Sequence, residues 1–341
     1  MSASPALPRL LVTGGAGYVG SVLVPALLQR GHRVRVLDLY LYGTESLAEV
    51  RAHPALEEVH ADLRDVTALR AALSDVDAVV HLACISNDPS CELDPALTRS
   101  INLDAFEPLV RLAREAGVRR FVFASSSSVY GISEAPQVTE EHPQRPITLY
   151  NRYKGECEAI LARYRGSGLV SVSLRPATVC GRSPRQRLDL TVNILTAHAV
   201  ERGVITVFGG SQMRPNLHMS DMVRAYECVL DAPDRAIDGE AFNVSHANLR
   251  VDEIADTVRR IVEREYPERA PVHIETTPSN DPRSYHVNTD RIRTRLGFVP
   301  RVGIEEAVRS LTAALRRGEL PAPLEDSRYY NVRRMKELGL Q

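Results

Sequence analysis

The chain contains no tryptophan, and aromatic residues make up only 5% of it. Its five cysteines, Cys84, Cys91, Cys157, Cys180 and Cys228, are an odd number with no Cys-x-x-Cys pair. That argues against a disulfide framework or a thiolate zinc site and fits a reducing, cytoplasmic setting. The ten histidines are scattered with no His-Glu-x-x-His pattern, so no metal is implied. No apolar run approaches the ~18 residues needed to cross a bilayer. The first eight residues lack the basic start and apolar stretch of a signal peptide. The formal net charge is -1. Neither a nucleic acid nor a membrane surface is expected as a partner.

What is present is ordinary for a globular chain: 341 residues, 44% hydrophobic and 25% charged. That length predicts one large or two closely joined domains. Short apolar runs at 9–13, 33–39, 56–61, 78–83, 118–125 and 170–175 read as strands buried in a parallel sheet. Between them, helical spacing is seen at 17–30, 65–73, 95–116 and 148–165. The alternation predicts an α/β, doubly wound parallel sheet of Rossmann type over residues 1–180. After Arg175 the rhythm breaks into shorter segments with more prolines. Residues 181–341 are expected to form a smaller, interleaved α/β domain that contacts substrate. Within it, 252–265 is an amphipathic helix with Ile254, Val258, Ile261 and Val262 on one stripe. A strand near 241–245 could return to the main sheet.

Thr13-Gly-Gly-Ala-Gly-Tyr-Val-Gly20 follows the first strand and opens a helix. Glycine there permits a tight turn and lets the backbone approach a pyrophosphate at the helix N-terminus. The backbone of Gly14, Gly17, Tyr18, Val19 and Gly20 is therefore expected to cradle a dinucleotide. A glycine pattern alone is weak, but Asp38 ends the second strand, as such a site requires. A carboxylate there accepts both adenosine ribose hydroxyls and repels a 2′-phosphate, which favours NAD over NADP. Asp62 and Leu63 after the third strand are candidates to flank the adenine. His81-Leu82-Ala83 ends the fourth strand where the crevice should open; Leu82 and Ala83 would line the cofactor, and His81 reads equally well as a packed side chain.

Tyr150 and Lys154 are four apart and share a helical face. A phenol is a poor base near neutral pH, and a nearby ammonium favours its ionised form. Lowering its pKa to about 7 takes roughly 4 kcal/mol, within reach of one buried cation plus a nicotinamide charge. Ser125-Ser-Ser-Ser-Val-Tyr-Gly131 closes the fifth strand at the same sheet edge and offers hydroxyls to a reacting oxygen.

Thr-Gly-Gly-x-Gly-x-x-Gly, the acidic end of strand two, His-Leu-Ala, Ser-Ser-x-x-Val-Tyr-Gly and Tyr-x-x-x-Lys together resemble the extended short-chain dehydrogenase/reductase family. More narrowly, they resemble its NAD-dependent nucleotide-sugar epimerase/dehydratase branch, over roughly residues 8 to 320. The resemblance implies Tyr150 as general base, Lys154 as its partner and the holder of the nicotinamide ribose, and Ser126 as the catalytic hydroxyl. Ser125 and Asn102 would lie near the cofactor, with Pro176 and Val179 under the nicotinamide. Ser86, Asn87, Ser126, Ser127 and Thr178 would face the sugar. Asn193, Arg214 and Arg283 would hold the substrate diphosphate, for which paired arginines are suited. Cys180 stands where relatives carry an aromatic, either as a packing variant or as a reactive thiol. The resemblance also implies a homodimer built from helices 95–116 and 148–165, which read as apolar on more than one side.

Family dehydratases place Asp-Glu directly after the catalytic hydroxyl; here those positions are Ser127 and Ser128, which cannot do that acid–base work. The 3,5-epimerising relatives use a cysteine in this stretch, which holds only serines. The expectation is therefore an NAD-dependent nucleotide-sugar 4-epimerase working through a transient 4-keto sugar. An NAD(H)-dependent 4-dehydrogenase or ketoreductase ranks second. A 4,6-dehydratase and a non-catalytic NAD-binding protein rank behind. Neither the base nor the sugar is readable from the sequence.

Overall fold

In the computed structural model, residues 8–133, 135–278 and 286–340 are described. In chain order the first half comprises β1 (Arg9–Thr13), α1 (Gly20–Gln29), β2 (Arg33–Asp38), β3 (Leu56–His60), α2 (Val66–Ala72), β4 (Ala78–His81), α3 (Asp88–Cys91), α4 (Pro95–Arg99), α5 (Phe106–Glu115), β5 (Arg120–Ala124), α6 (Leu149–Ala162) and β6 (Val170–Pro176). The second comprises β7 (Thr178–Cys180), α7 (Thr191–Arg202), β8 (Val204–Phe208), β9 (Met213–His218), α8 (Met219–Asp231), α9 (Asp234–Ile237), β10 (Glu240–Val244), β11 (Ala247–Arg250), α10 (Val251–Glu265), β12 (His273–Thr277), α11 (Asp290–Leu296), α12 (Ile304–Arg316) and α13 (Asn331–Glu337).

Seven strands form one parallel sheet in the order β3-β2-β1-β4-β5-β6-β10. Helices cover both faces, which is why central strands such as β4 are buried at every position. The chain runs outward from β1 in both directions, so the β1–β4 junction is the switch point where a crevice must open. Thr13 is in register with Leu37 on one side and His81 on the other. The ends of β1, β2 and β4 therefore meet at one place.

β10 does return to the main sheet, beside β6. Met222, Val229, Ile237, Phe242 and Ile292 join the same apolar cluster as Leu10, Val12 and Leu23, so residues beyond 181 contribute to both layers. The second layer holds the three-stranded sheet β11-β9-β7 and the pair β12-β8. Its core packs α7, α10 and α12 together, with the stripe Ile254, Val258, Ile261 and Val262 fully buried.

Two expectations about helices need correction. Residues 95–116 are not one helix: α4 and α5 are separated by a π-helical turn, Ser100–Asp104, in which the Ala105 N–H reaches Ser100 O at 3.2 Å. Such wide turns re-aim side chains, and this one carries Asn102. Nor are α5 and α6 apolar on several sides. Their outward faces carry the pairs Arg111–Glu115, Arg152–Glu156 and Arg163–Glu107. None of the large exposed apolar side chains among the described residues lies on them. Among the described residues, no helix is long and apolar enough to cross a membrane.

Candidate active site

The carboxyl ends of the strands open onto one cleft of about 690 Å³. Gly14, Gly17, Tyr18, Val19 and Gly20 line it. Gly14 has no substitute: its φ is +74°, and a Cβ would stand 2.6 Å from Ala83 N. Gly20 is equally constrained, since its Cβ would meet Gly14 O at 2.6 Å. The turn therefore packs directly against the β4 end, and the N-terminal residue of α1, Gly20, stands on the cleft wall beside it. Asp38 also lines it. One carboxylate oxygen accepts the Ala16 N–H at 2.9 Å and the other the Tyr40 N–H at 2.8 Å. Burial raises its pKa against these amide bonds. Asp62, Leu63, Leu82 and Ala83 follow along the wall. Asp62 is paired with Arg64 at 2.6 Å, which holds its carboxyl below the ordinary value.

His81 takes the packed alternative. Its Nδ1 meets Thr13 Oγ1 at 2.7 Å and its ring lies among Phe106, Phe121 and Phe123. Burial pulls its pKa down to about 3.

At the other end of the cleft, Thr148 caps α6 by accepting the Asn151 N–H at 3.3 Å, while its hydroxyl donates to Asp88 at 2.6 Å. That cap puts Tyr150 in the first turn and Lys154 one turn later, both on the cleft wall. The Lys154 ammonium is 5.7 Å from the centre of the Tyr150 ring and donates to Ala124 O at 2.6 Å. The expected lowering of the phenol is not what this site shows by itself. Burial raises Tyr150 well above the ordinary value, Cys84 and Cys91 add to the rise, and Arg187 opposes it. Desolvation outweighs the opposing positive charge.

Ser126 caps the 3₁₀ turn Ser127–Tyr130, with its Oγ accepting Ser128 N–H at 3.2 Å and lying 2.7 Å from Ser128 Oγ. Ser126 and Ser127 line the cleft, as do Ser86, Asn87, Pro176, Thr178, Val179 and Arg214. Ser125 lines it too, but its hydroxyl is turned inward to Glu158. Glu158 pairs with Arg175 at 2.6 Å, and Arg175 donates to Tyr130 OH at 2.7 Å. This buried network pins the end of β5 beneath the serines.

Two asparagines lie behind the wall rather than on it. Asn102, on the π turn, spends both amide atoms on the Ile85 backbone at 2.8 Å. Asn193 accepts Gly181 N–H at 3.0 Å and donates to Tyr18 OH and Arg187 O at 3.0 and 2.8 Å. It ties the glycine turn to the 181–187 segment and has no amide atom left for a diphosphate. Cys180 is fully buried, and its thiol is pushed up to about 12 by that burial, so it is a packing residue and not a nucleophile. Arg283 lies outside the described residues.

The sequence reading missed Tyr42, Asn151, Arg185, Arg187, Asp189, Asn331 and Met335, all of which line the cleft. The one available signal was the density of Arg182, Arg185 and Arg187 just before a helix. Nothing in the sequence marked Asn331 or Met335, which arrive from the far end of the chain.

A cleft of this size at a switch point suits a dinucleotide with a second ligand. The Gly14–Ala83 approach, the open end of α1 and the Asp38 carboxylate fit NAD. The family model described as "NAD dependent epimerase/dehydratase family" matches residues 10–245. A UDP-glucose 4-epimerase of Lactobacillus helveticus is 28% identical over 315 residues, 86% of this chain and 92% of the relative. UDP-glucuronic acid decarboxylase 1 of Arabidopsis thaliana is 27% identical over 326 residues, 90% of this chain and 70% of the relative. The crystal structure of DesIV, a dTDP-glucose 4,6-dehydratase from Streptomyces venezuelae with NAD and TYD bound, superposes with a TM-score of 0.81 at 26% identity, covering 93% of this chain and 100% of that one. Three different reactions are thus represented at nearly equal distance, with NAD common to the family, and NAD is the cofactor here. The chain belongs to the NAD-dependent epimerase/dehydratase family.

Proposed function

We propose that the chain is a nucleotide-sugar 4-epimerase. The carrying observation is the wall beside Tyr150: Ser126, Ser127 and Ser128 present hydroxyls where dehydration needs an acid and a base. Glu158, the carboxylate beneath this turn, is committed to Arg175, Ser125 and Gln144 and does not line the cleft, while Asp88, which does line it and acts on Tyr150, accepts from the Thr148 hydroxyl at 2.6 Å. The turn at 126–128 offers hydroxyls that can relay one proton, and no carboxylate that could expel a second hydroxyl stands on it.

NAD, when bound, supplies a hydride acceptor that can return what it takes. The chain does the rest. Gly14, Gly17, Tyr18, Val19 and Gly20 offer backbone to the pyrophosphate, Asp38 accepts from the adenosine ribose, and Asp62, Leu63, Leu82 and Ala83 line its path. Lys154 would hold the nicotinamide ribose and favour the Tyr150 phenolate, and Pro176 and Val179 would line the nicotinamide. Tyr150 takes the proton of the sugar 4-hydroxyl, Ser126 hydrogen-bonds the same oxygen, and C4 becomes a ketone. The sugar would turn over against Ser86, Asn87, Ser127 and Thr178; C4 would regain its hydride on the opposite face, and Tyr150 would return the proton to the 4-oxygen. Arg214 holds the diphosphate while the sugar moves. No net oxidation results.

The test is a panel of nucleotide sugars incubated with purified protein without added cofactor. A product of unchanged mass with an inverted C4 proton coupling supports the reading and identifies the base. A product lighter by two hydrogens, formed only when NAD is added, replaces it with a 4-dehydrogenase.

A further inference from the structure

Arg185 lines the cleft and has no role in the chemistry above. It lies between β7 and α7 on a segment stapled to the glycine turn. Ser183 Oγ donates to Tyr18 O at 2.7 Å and lies 2.8 Å from Ser21 Oγ, and the Arg185 N–H donates to Ser21 Oγ at 3.2 Å. The side chain thus starts beside the N-terminus of α1. Its guanidinium stacks on Tyr42, 3.6 Å from the ring centre, in the loop after Asp38. The residue is only 5% exposed.

This guanidinium is underused. Nη2 donates to Asn331 Oδ1 at 2.6 Å, but Nε and Nη1 have no partner among the described residues. Arg187 differs, because Asp189 accepts from its Nε at 2.9 Å and balances its charge. Burial draws Arg185 down to about 10, with the Asp189 charge working the other way without a hydrogen bond to it. Arginine does not shed its proton under ordinary conditions, so a buried, unpaired guanidinium is costly unless an anion arrives.

Asn331, the first residue of α13, extends the arrangement. Its Nδ2 donates to Ser86 Oγ at 2.9 Å and its backbone N–H to Asp189 at 3.0 Å. One turn on, Arg334 Nε donates to Leu41 O at 2.7 Å. The C-terminal helix therefore spans the loops after β2, β4 and β7, which surround the cleft.

We propose that Arg185 is a cofactor-binding residue that closes on the NAD pyrophosphate opposite the glycine turn, and that Asn331 latches it there so that NAD is retained between turnovers. Its attachment to Tyr18 and Ser21, and its place beside Asp38 and Tyr42, put it on the dinucleotide and not on the substrate diphosphate. The inference rests on NAD as cofactor, not on the epimerase reading.

The experiment measures NAD bound per chain after purification, the NAD release rate, and binding of ADP-ribose, adenosine and UDP to cofactor-stripped protein. Arg185→Gln is expected to weaken ADP-ribose about tenfold to a hundredfold, the loss of a charge-assisted pair, while adenosine binds as in wild type and shows the fold intact. Asn331→Ala, which keeps the guanidinium, is expected to release NAD at least about tenfold faster. Wild-type ADP-ribose affinity in Arg185→Gln, or a loss confined to UDP, overturns the assignment. Wild-type NAD release in Asn331→Ala overturns the latch. Should Arg185→Gln fail to fold, Arg185→Lys gives the same comparison: ADP-ribose weakened with adenosine unchanged supports the assignment, and unchanged ADP-ribose overturns it.

Discussion

The Lys154 ammonium gives its hydrogen bond to the Ala124 carbonyl at 2.6 Å while standing 5.7 Å from the centre of the Tyr150 ring. In the proposed reaction it would act on the phenol by charge across a gap. At that distance in a partly screened site, one cation supplies only part of what a neutral-pH base requires. The structure also buries Tyr150, which works the other way. In the proposed reaction Arg187 and the positive nicotinamide of bound NAD would supply the rest, so that the base would be switched on by the cofactor.

Catalysis should accordingly need the phenolate and rise with pH, with Tyr150 burial pushing that rise upward. Replacing Lys154 by Met removes a stabilising charge and should move the rise to still higher pH. Tyr150→Phe should lower kcat by about a hundredfold to ten-thousandfold at every pH. Steady-state kcat between pH 6 and 10 checks all three; a profile that falls with pH would contradict a tyrosine base.

Ser126 and Ser128 share a hydroxyl contact at 2.7 Å, but only Ser126 is assigned to the reacting oxygen. Ser126→Ala should cost about tenfold to a hundredfold in kcat, the worth of one hydrogen bond to a developing charge. Ser128→Ala should cost little. Equal losses in kcat for the two variants would shift the assignment to the whole turn.

His81 carries a stability prediction. It is buried and neutral, with its pKa pulled down to about 3, whereas in the unfolded chain it protonates near ~6.5. The unfolded state therefore takes up the proton first. Stability is complete above ~6.5 and is lost as pH falls from there toward 3, by about 2 kcal/mol at pH 5. Urea midpoints at pH 7 and pH 5 should show a smaller drop in His81→Phe than in wild type. Equal drops would mean that His81 already titrates normally in the fold.

The sheet and the cofactor edge of the cleft were legible because their signals are local. Alternating apolar runs, a glycine turn whose residues touch the next strand, and an acid ending β2 each sit within a few residues of what they determine. Tyr150 and Lys154 were legible for the same reason, through helical spacing. Asn102 and Asn193 stand behind the wall, which residue type alone could not say; a π turn and a buried tyrosine hydroxyl decide on which side each amide lies. Arg185 and Asn331 are 146 positions apart in a single hydrogen bond, and no periodicity encodes such a contact. The outward faces of α5 and α6 were misjudged because aliphatic residues at several helix angles also suit a helix buried against the sheet on one side and laced with ion pairs on the other.

The most direct test runs the reaction in deuterium oxide on a nucleotide sugar that the panel identifies as substrate, with the product examined by mass and proton NMR. Hydride removed and returned at C4, with only hydroxyl protons exchanged, predicts inverted coupling at C4, unchanged mass after back-exchange, and no deuterium on carbon. Deuterium at C5, or a product lighter by one water, would mean that the serines beside Tyr150 do not prevent elimination and would contradict the epimerase.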